Sequence, residues 1–211
     1  MTKEKTGRAL GRPKASDSDR PTKETILQTA TTLFLRDGFQ KVSVDDIAKE
    51  AGMTKATVYY YFGTKAELFK EAMVSLMKRI RGHIMQLLQT DKPLYERLYA
   101  VILAHLQATN TFDLEGFMRE SKTSLSMEQI QEIKSAEENM FDSIEQAFKD
   151  AMEKGEIPNI HAKFAAHSYM ALARVGNYKQ ADGTSFFSTI EETAKSILTV
   201  FWNGFFGQLK Q

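Results

Sequence analysis

The residues whose types and spacing could do chemistry crowd into 43–65. Thr54, Lys55, Thr57, Tyr59, Tyr60 and Tyr61 put a cation, two hydroxyls and three phenols into about two helical turns with no acid among them. Hydroxyls and phenols can hold phosphate oxygens, a lysine ammonium can reach guanine O6 and N7, and Ala56 or a threonine methyl can touch a thymine methyl. Lys65 stands where the next helix should begin, so its ammonium and the open backbone N–H groups could grip one phosphate together. Catalytic chemistry has no comparable cluster. The four histidines are scattered, and no H-E-x-x-H, Walker A, G-x-S-x-G or G-x-G-x-x-G pattern occurs. With no cysteine, thiol catalysis and Cys-ligated metals drop out. An enzyme is not expected, and neither is a cofactor or a metal.

The elements that must position these residues are helices throughout. Ile26, Leu27, Ala30, Leu33 and Phe34 form one face of a first helix over 22–37, with Thr22 as N-cap and Gly38 beyond its end. Ser43 caps a second, short helix with Val44, Ile47 and Ala48 inward, which Gly52 stops. Thr54 caps a third, with Val58, Tyr61 and Phe62 inward and Gly63 at its end. Two short helices about a tight turn, braced by a longer one, describe a helix-turn-helix that offers its second helix to a major groove. Thr64 and Glu67 form a capping box before an apolar period that predicts about 25 helical residues, reaching nearly ~40 Å. Further helices are expected at 92–109, 113–125, 127–154, 160–178 and 185–208. The fold class is all-α: a three-helix head at 22–70 joined by the long helix to a larger ligand-binding and dimerisation body at 71–211, preceded by a basic arm at 1–21.

Composition supports that division. The 211 residues carry 28 Lys+Arg against 27 Asp+Glu, and 42% are hydrophobic, as in an ordinary globular chain. Cut after Lys65, the first part holds 12 basic and 8 acidic residues (+4) and the remainder 16 and 19 (−3). A basic head on an acidic body suits a polyanion at the head. Lys3, Lys5, Arg8, Arg12, Lys14 and Arg20 punctuate an arm without apolar period. Its Gly11-Arg12-Pro13 matches the core of arms that enter a narrow minor groove, or is a solvated tail. No secretory h-region follows the start, and the longest apolar run, 197–206, is far short of the ~20 residues that span a bilayer. The expected location is cytoplasmic, with no membrane partner.

Ala30-x-x-Leu33-Phe34, Gly38-Phe39, Ile47-Ala48-x-x-Ala51-Gly52, Thr57-x-Tyr59-x-Tyr61-Phe62 and Lys65-x-x-Leu68-Phe69 follow one another in an order that closely resembles the DNA-binding head of TetR-family transcriptional regulators. The resemblance covers about 22–70; beyond it only the architecture is shared. It implies a homodimer that places two recognition helices in successive major grooves of palindromic double-stranded DNA, usually as a repressor released by a small ligand. Carried over by position, Ser43 and Val44 would lie near the DNA backbone. Lys55, Ala56, Thr57 and Tyr60 would face bases, and Tyr59, Tyr61 and Lys65 phosphates. Tyr61 stands where histidine is common, and Gly63 where lysine or serine is.

In the body, Phe186, Phe187, Ile190, Ala194, Ile197, Leu198, Phe201, Trp202, Phe205 and Phe206 make an apolar stripe wider than one core contact needs. With Phe164, Ala171, Val175 and Tyr178 it could build a two-fold four-helix interface, or close an intramolecular core. His83, His105, Glu137, His167 and Arg174 interrupt apolar stripes and must be satisfied by one another or by something bound between the helices. Phe117, Phe141 and Met170 are expected as adaptable walls beside them, which would suit a lipophilic or amphipathic inducer. The competing reading is an all-α ligand-binding or interaction protein without specific DNA binding. It predicts acidic or bulky apolar residues on the outer face of 54–61, where Lys55, Thr57 and Tyr60 stand instead.

Overall fold

The computed structural model describes residues 19–109 and 122–207. Eight α-helices and one 3-10 turn make up its regular structure, and no strand occurs among the described residues. The helices are α1 (Asp19–Asp37), α2 (Val44–Glu50), α3 (Lys55–Phe62), α4 (Lys65–Leu88), α5 (Leu94–Thr109), α6 (Met127–Glu153), α7 (Ala162–Val175) and α8 (Ile190–Phe206), with the 3-10 turn Lys122–Ser124 ahead of α6. The arm up to residue 18, most of the helix expected at 113–125 and Phe117 lie outside the described residues.

Side-chain caps set most of the helix starts. Ser43 accepts from the Asp46 N–H while Asp46 accepts from the Ser43 N–H, a complete capping box. Thr54 accepts from Thr57 N and Thr64 from Glu67 N. The expected box at Thr64 is only half made, because the Glu67 carboxylate turns to Lys70 and Gln129 instead. Ser126 and Gln129 close a reciprocal box at α6. Gly52 and Gly63 adopt φ of +67° and +66°, the left-handed region that lets the chain reverse within one residue after α2 and after α3.

Two expected starts differ by more than two residues. α1 begins at Asp19, so Thr22 is inside its first turn rather than capping it. Pro21 there needs no N–H partner and its ring presets a helical φ. α8 begins at Ile190, not 185, because Thr189 is the cap and accepts from Glu192 N. Residues 184–188 instead form a loop tied by Gln180 to Thr184 and by Lys179 to Ser185. Phe186 and Phe187 therefore belong to that loop and not to the last helix.

Two hydrophobic clusters divide the molecule. The head cluster joins α1, α2 and α3 to Leu68, Phe69, Ala72 and Met73 of α4, around the rings of Phe34, Phe39 and Phe69 with centroids 4.9–5.8 Å apart. The body cluster takes over along the same helix from Met77 and gathers α5 to α8 around Phe148, Tyr169 and Phe201. Tyr169 is wholly buried, and its hydroxyl donates to the Leu98 carbonyl, so the one polar atom of that ring is satisfied. Ala194, Ile197, Leu198 and Phe201 of α8 face this core. No helix among the described residues is long and apolar enough to cross a membrane.

Candidate functional site

Val58 and Phe62 anchor α3 into the head core, which turns the opposite face of the helix outward. Tyr60 is 80% exposed, Tyr59, Thr54, Lys55 and Ala56 are exposed, and Thr57 and Tyr61 are half-buried. Tyr60 and Tyr61 meet edge to face at 5.2 Å, so each limits the other's sweep. The Thr54 and Thr57 hydroxyls lie 2.8 Å apart. That pair spends one hydroxyl on the cap and orients the other.

Lys55 is not an unopposed cation. Its ammonium pairs with Asp45 of α2, and that carboxylate's hydrogen bond and charge raise the lysine pKa. An acidic residue thus borders the outer face of α3, from a neighbouring helix that the pattern of 54–61 could not reveal. Lys65 departs further from expectation. Its ammonium turns back over the Phe39 ring at 4.4 Å and toward the Gln40 carbonyl at 3.4 Å, and desolvation lowers its pKa against the opposing pull of Asp46. Val44 is only 5% exposed and belongs to the head core, so its side chain offers nothing outward. Ser43 is exposed but committed to its cap, where its hydroxyl and N–H hold the Asp46 pKa down.

The ligand residues expected in the body partly converge. α6 and α7 run antiparallel, which pairs Arg174 with Glu137 at 2.8 Å and the His167 ring with Phe141 at 4.9 Å. Met170 is buried beside them in the body cluster. His105 of α5 lies mostly buried within the field of Arg174. Burial first, and that charge second, lower its pKa, and its Nε2 is buried without a hydrogen-bond partner among the described residues. His83 does not join them; it is exposed on α4. A cavity of about 130 Å³ opens nearby between Leu106 of α5, Gly176, Asn177, Phe187, Ile190 and Thr193, none of them a residue expected from sequence to hold a ligand. The Thr189-x-x-Glu192 pattern was the signal that could have placed this loop outside the helix. Among the described residues, no three or more His, Asp or Glu gather as a metal site would need.

Known proteins share both the motif and the architecture. The family model for bacterial regulatory proteins of the tetR family matches residues 26–72. The HTH-type transcriptional regulator YhgD of Bacillus subtilis is 26% identical over 155 residues, 71% of this chain and 81% of that protein. Among solved structures, reduced NemR of E. coli superposes with a TM-score of 0.72 at 19% identity, covering 86% of this chain and 96% of that one. FadR of Bacillus subtilis in complex with stearoyl-CoA gives 0.68 at 18%, covering 86% and 98%. The fold is that of these regulators, and the family match at 26–72 takes in the exposed helix α3 that the geometry singled out. On motif, relative and fold together, the chain is a TetR-family helix-turn-helix transcriptional regulator whose DNA-binding head lies at residues 26–72.

Proposed function

We propose that the protein acts as a homodimeric repressor that lays its two α3 helices in successive major grooves of a palindromic operator and leaves it when a small amphipathic ligand binds the body. The observation that carries the reading is the outer face of α3, where Tyr59, Tyr60, Thr54 and Lys55 stand in solvent on a helix pinned from behind by Val58 and Phe62. Such a surface has no role in packing and the right donors for phosphate and base edges. Tyr60, Thr57 and Ala56 are assigned to bases, and Tyr59, Tyr61 and Thr54 to phosphates. Lys55 would exchange Asp45 for a guanine, and Lys65 would swing off Phe39 to reach a phosphate. Ser43 and Val44 contribute through the N-terminal turn of α2.

Dimerisation rests on the apolar surface that the body leaves open. Phe164 and Val175 are exposed on the face of α7 that carries Ala171, Tyr178 is exposed just beyond the end of that helix, expected to run to 178, and Val200 is exposed on the adjoining α8. An added Cβ at Gly204, one turn from Val200, meets nothing within 4 Å, so a second helix can approach closely there. Two copies joined through α7 and α8 form a four-helix, two-fold contact. For the ligand, the Arg174, Glu137 and His105 group offers a charged and polar end, with Phe141 and Met170 beside it. A molecule with an acyl or aromatic body and an anionic end fits that division, and a fold neighbour holds stearoyl-CoA.

The test is a salt-dependent titration of operator DNA, found by selection from random duplexes, with the parent, Tyr60→Ala and Lys55→Ala. Loss of Lys55 should cost about 1–3 kcal/mol, mainly on the selected site. Equal binding by all three proteins would remove α3 as the reading element.

A further inference from the structure

The head is joined to the body twice. The first connection is α4 itself, which begins in the head core and ends in the body core. The second comes from the segment leading into α6. Ile133 of α6 is buried in the head cluster, not the body cluster, and Leu125 packs against the same cluster. Gln40, in the loop after α1, donates to the Ser124 hydroxyl at 2.9 Å, and Gln129 donates to Glu67 at 3.0 Å. At the centre sits Lys70, 5% exposed, with its ammonium 2.7 Å from Glu67, 2.9 Å from Glu71 and 3.0 Å from Glu132. Burial disfavours its charge, but the three carboxylates outweigh that and hold its pKa above the ordinary lysine value.

Glu132 is the only one of these three carboxylates that belongs to the body segment. Lys70 is therefore the charge that lets α6 lie against α4 at this point. Lys23 adds one more cation, 3.7 Å from Glu71 on a half-exposed side chain. Without the Lys70 ammonium, Glu67, Glu71 and Glu132 face one another with only Lys23 nearby, and like charges at this range push the two helices apart.

We propose that this Lys70 junction fixes the angle of the head on the body and thereby decides which spacing between operator half-sites the dimer accepts. The inference rests on the dimeric, groove-reading function proposed above. If the bodies set the two-fold axis, the separation of the two α3 helices depends on the head angle on each side. The part of α4 ahead of Met77, where the body cluster takes hold, runs from Lys65 to Leu76, a lever of ~18 Å, so a swing of ~10° moves its far end by ~3 Å, about one base-pair step of ~3.4 Å. A junction that resists a few degrees of swing is therefore a spacing discriminator, although it touches no base.

The experiment starts from a palindrome selected by the parent and varies its central spacing one base pair at a time. Lys70→Met keeps an unbranched side chain, one atom shorter, and removes its charge. Glu132→Gln removes only the body's share, at a half-exposed position where folding is not at risk. Binding of the parent should fall about tenfold or more for one base pair either way, whereas Lys70→Met should lose less than about threefold, with Glu132→Gln between them. Parent-like discrimination in both folded variants, checked by circular dichroism, overturns the proposal. If Lys70→Met binds no duplex, the profile of Glu132→Gln decides: a flattened profile supports the junction and a sharp one overturns it. A parent that selects no two-fold-symmetric duplex defeats the underlying function instead, and the junction's role with it.

Discussion

The head and the body solve opposite surface problems. The head uses up its large apolar side chains: Phe34, Phe39, Phe62 and Phe69 are all buried, and what remains outside on α3 is hydroxyl, phenol and ammonium. The body has apolar side chains left over after its core around Phe148, Tyr169 and Phe201 is closed, and Phe164, Tyr178, Phe186 and Val200 stand in solvent. A polyanion is met by polar groups on a rigid support, because phosphate and base edges reward donors and not apolar area. A second polypeptide is met by apolar area, because its removal from water supplies the driving force. The contrast lets one chain of nearly balanced charge present DNA with a polar face at the head and, in the dimer proposed above, a second copy with an apolar face at the body.

The sharpest way to break this contrast is to exchange a buried for an exposed phenylalanine. Phe69→Ala removes a ring at the centre of the head triad and should cost about 3–5 kcal/mol of stability, enough to abolish DNA binding by unfolding the head. Phe164→Ala should stay within about 0.5 kcal/mol in the unassembled chain, since its ring is 63% exposed. Phe164→Glu should leave the fold intact and weaken self-association by about 2 kcal/mol or more, read by sedimentation equilibrium. A Phe164→Glu protein that remains a dimer would take that face out of the interface.

Tyr60→Ala comes next. Its 80% exposure predicts an unchanged unfolding midpoint in urea together with a loss of about 1–3 kcal/mol in operator binding. If stability falls with binding, Tyr60 is structural and the polar face of α3 loses its meaning. Asp45→Asn should act in the other direction and more weakly. Freeing Lys55 from its carboxylate removes a charge that repels phosphate, so binding to random duplex should tighten by about 1 kcal/mol or less, with a steeper salt dependence.

How much of this was legible depended on the distance between the residues involved. The caps at Ser43, Thr54, Thr64 and Ser126 and the reversals at Gly52 and Gly63 are interactions over three or four residues, so types and spacing reveal them directly. The outer face of α3 was legible for the same reason, given that Val58 and Phe62 mark its inner side. The body's contacts were half legible. Glu137, His167 and Arg174 stood out as polar residues interrupting apolar stripes and Phe141 as a wall beside them, but that 137 meets 174 and 141 meets 167 follows only from an antiparallel helix pair. Lys70 was not legible at all. A lysine among Leu68, Phe69, Ala72 and Met73 reads as a solvated break in a stripe, and the body carboxylate that keeps it buried lies at Glu132. That the Lys65 ammonium rests over the Phe39 ring was not legible either, because helix-start geometry says nothing about an aromatic ring from another turn of the chain.

The smallest expected effect concerns pH and tests whether the body's buried polar group is an empty polar end or a satisfied one. His105 has an ordinary value of 6.5, lowered in the fold by burial and then by Arg174. Below 6.5 the unfolded chain takes up a proton at this position more readily than the folded chain does. Stability from His105 is therefore complete above 6.5 and is lost as pH falls from there through the lower folded value. The carboxylates with lowered values, Asp37, Asp46, Glu67 and Asp182, act only as pH falls through their ordinary 3.8 or 4.5. A comparison at about pH 7.5 and about pH 5.5 thus reports mainly on histidine. The urea midpoint should drop between these two values, and His105→Gln should reduce the drop while His83→Gln, at an exposed position, should not. An anionic amphipath that pairs with Arg174 would relieve the charge facing His105 and raise its pKa, shrinking the drop in the parent alone. If the drop is the same with and without long-chain fatty acid as the probe, the polar end of the ligand does not lie at His105 and Arg174.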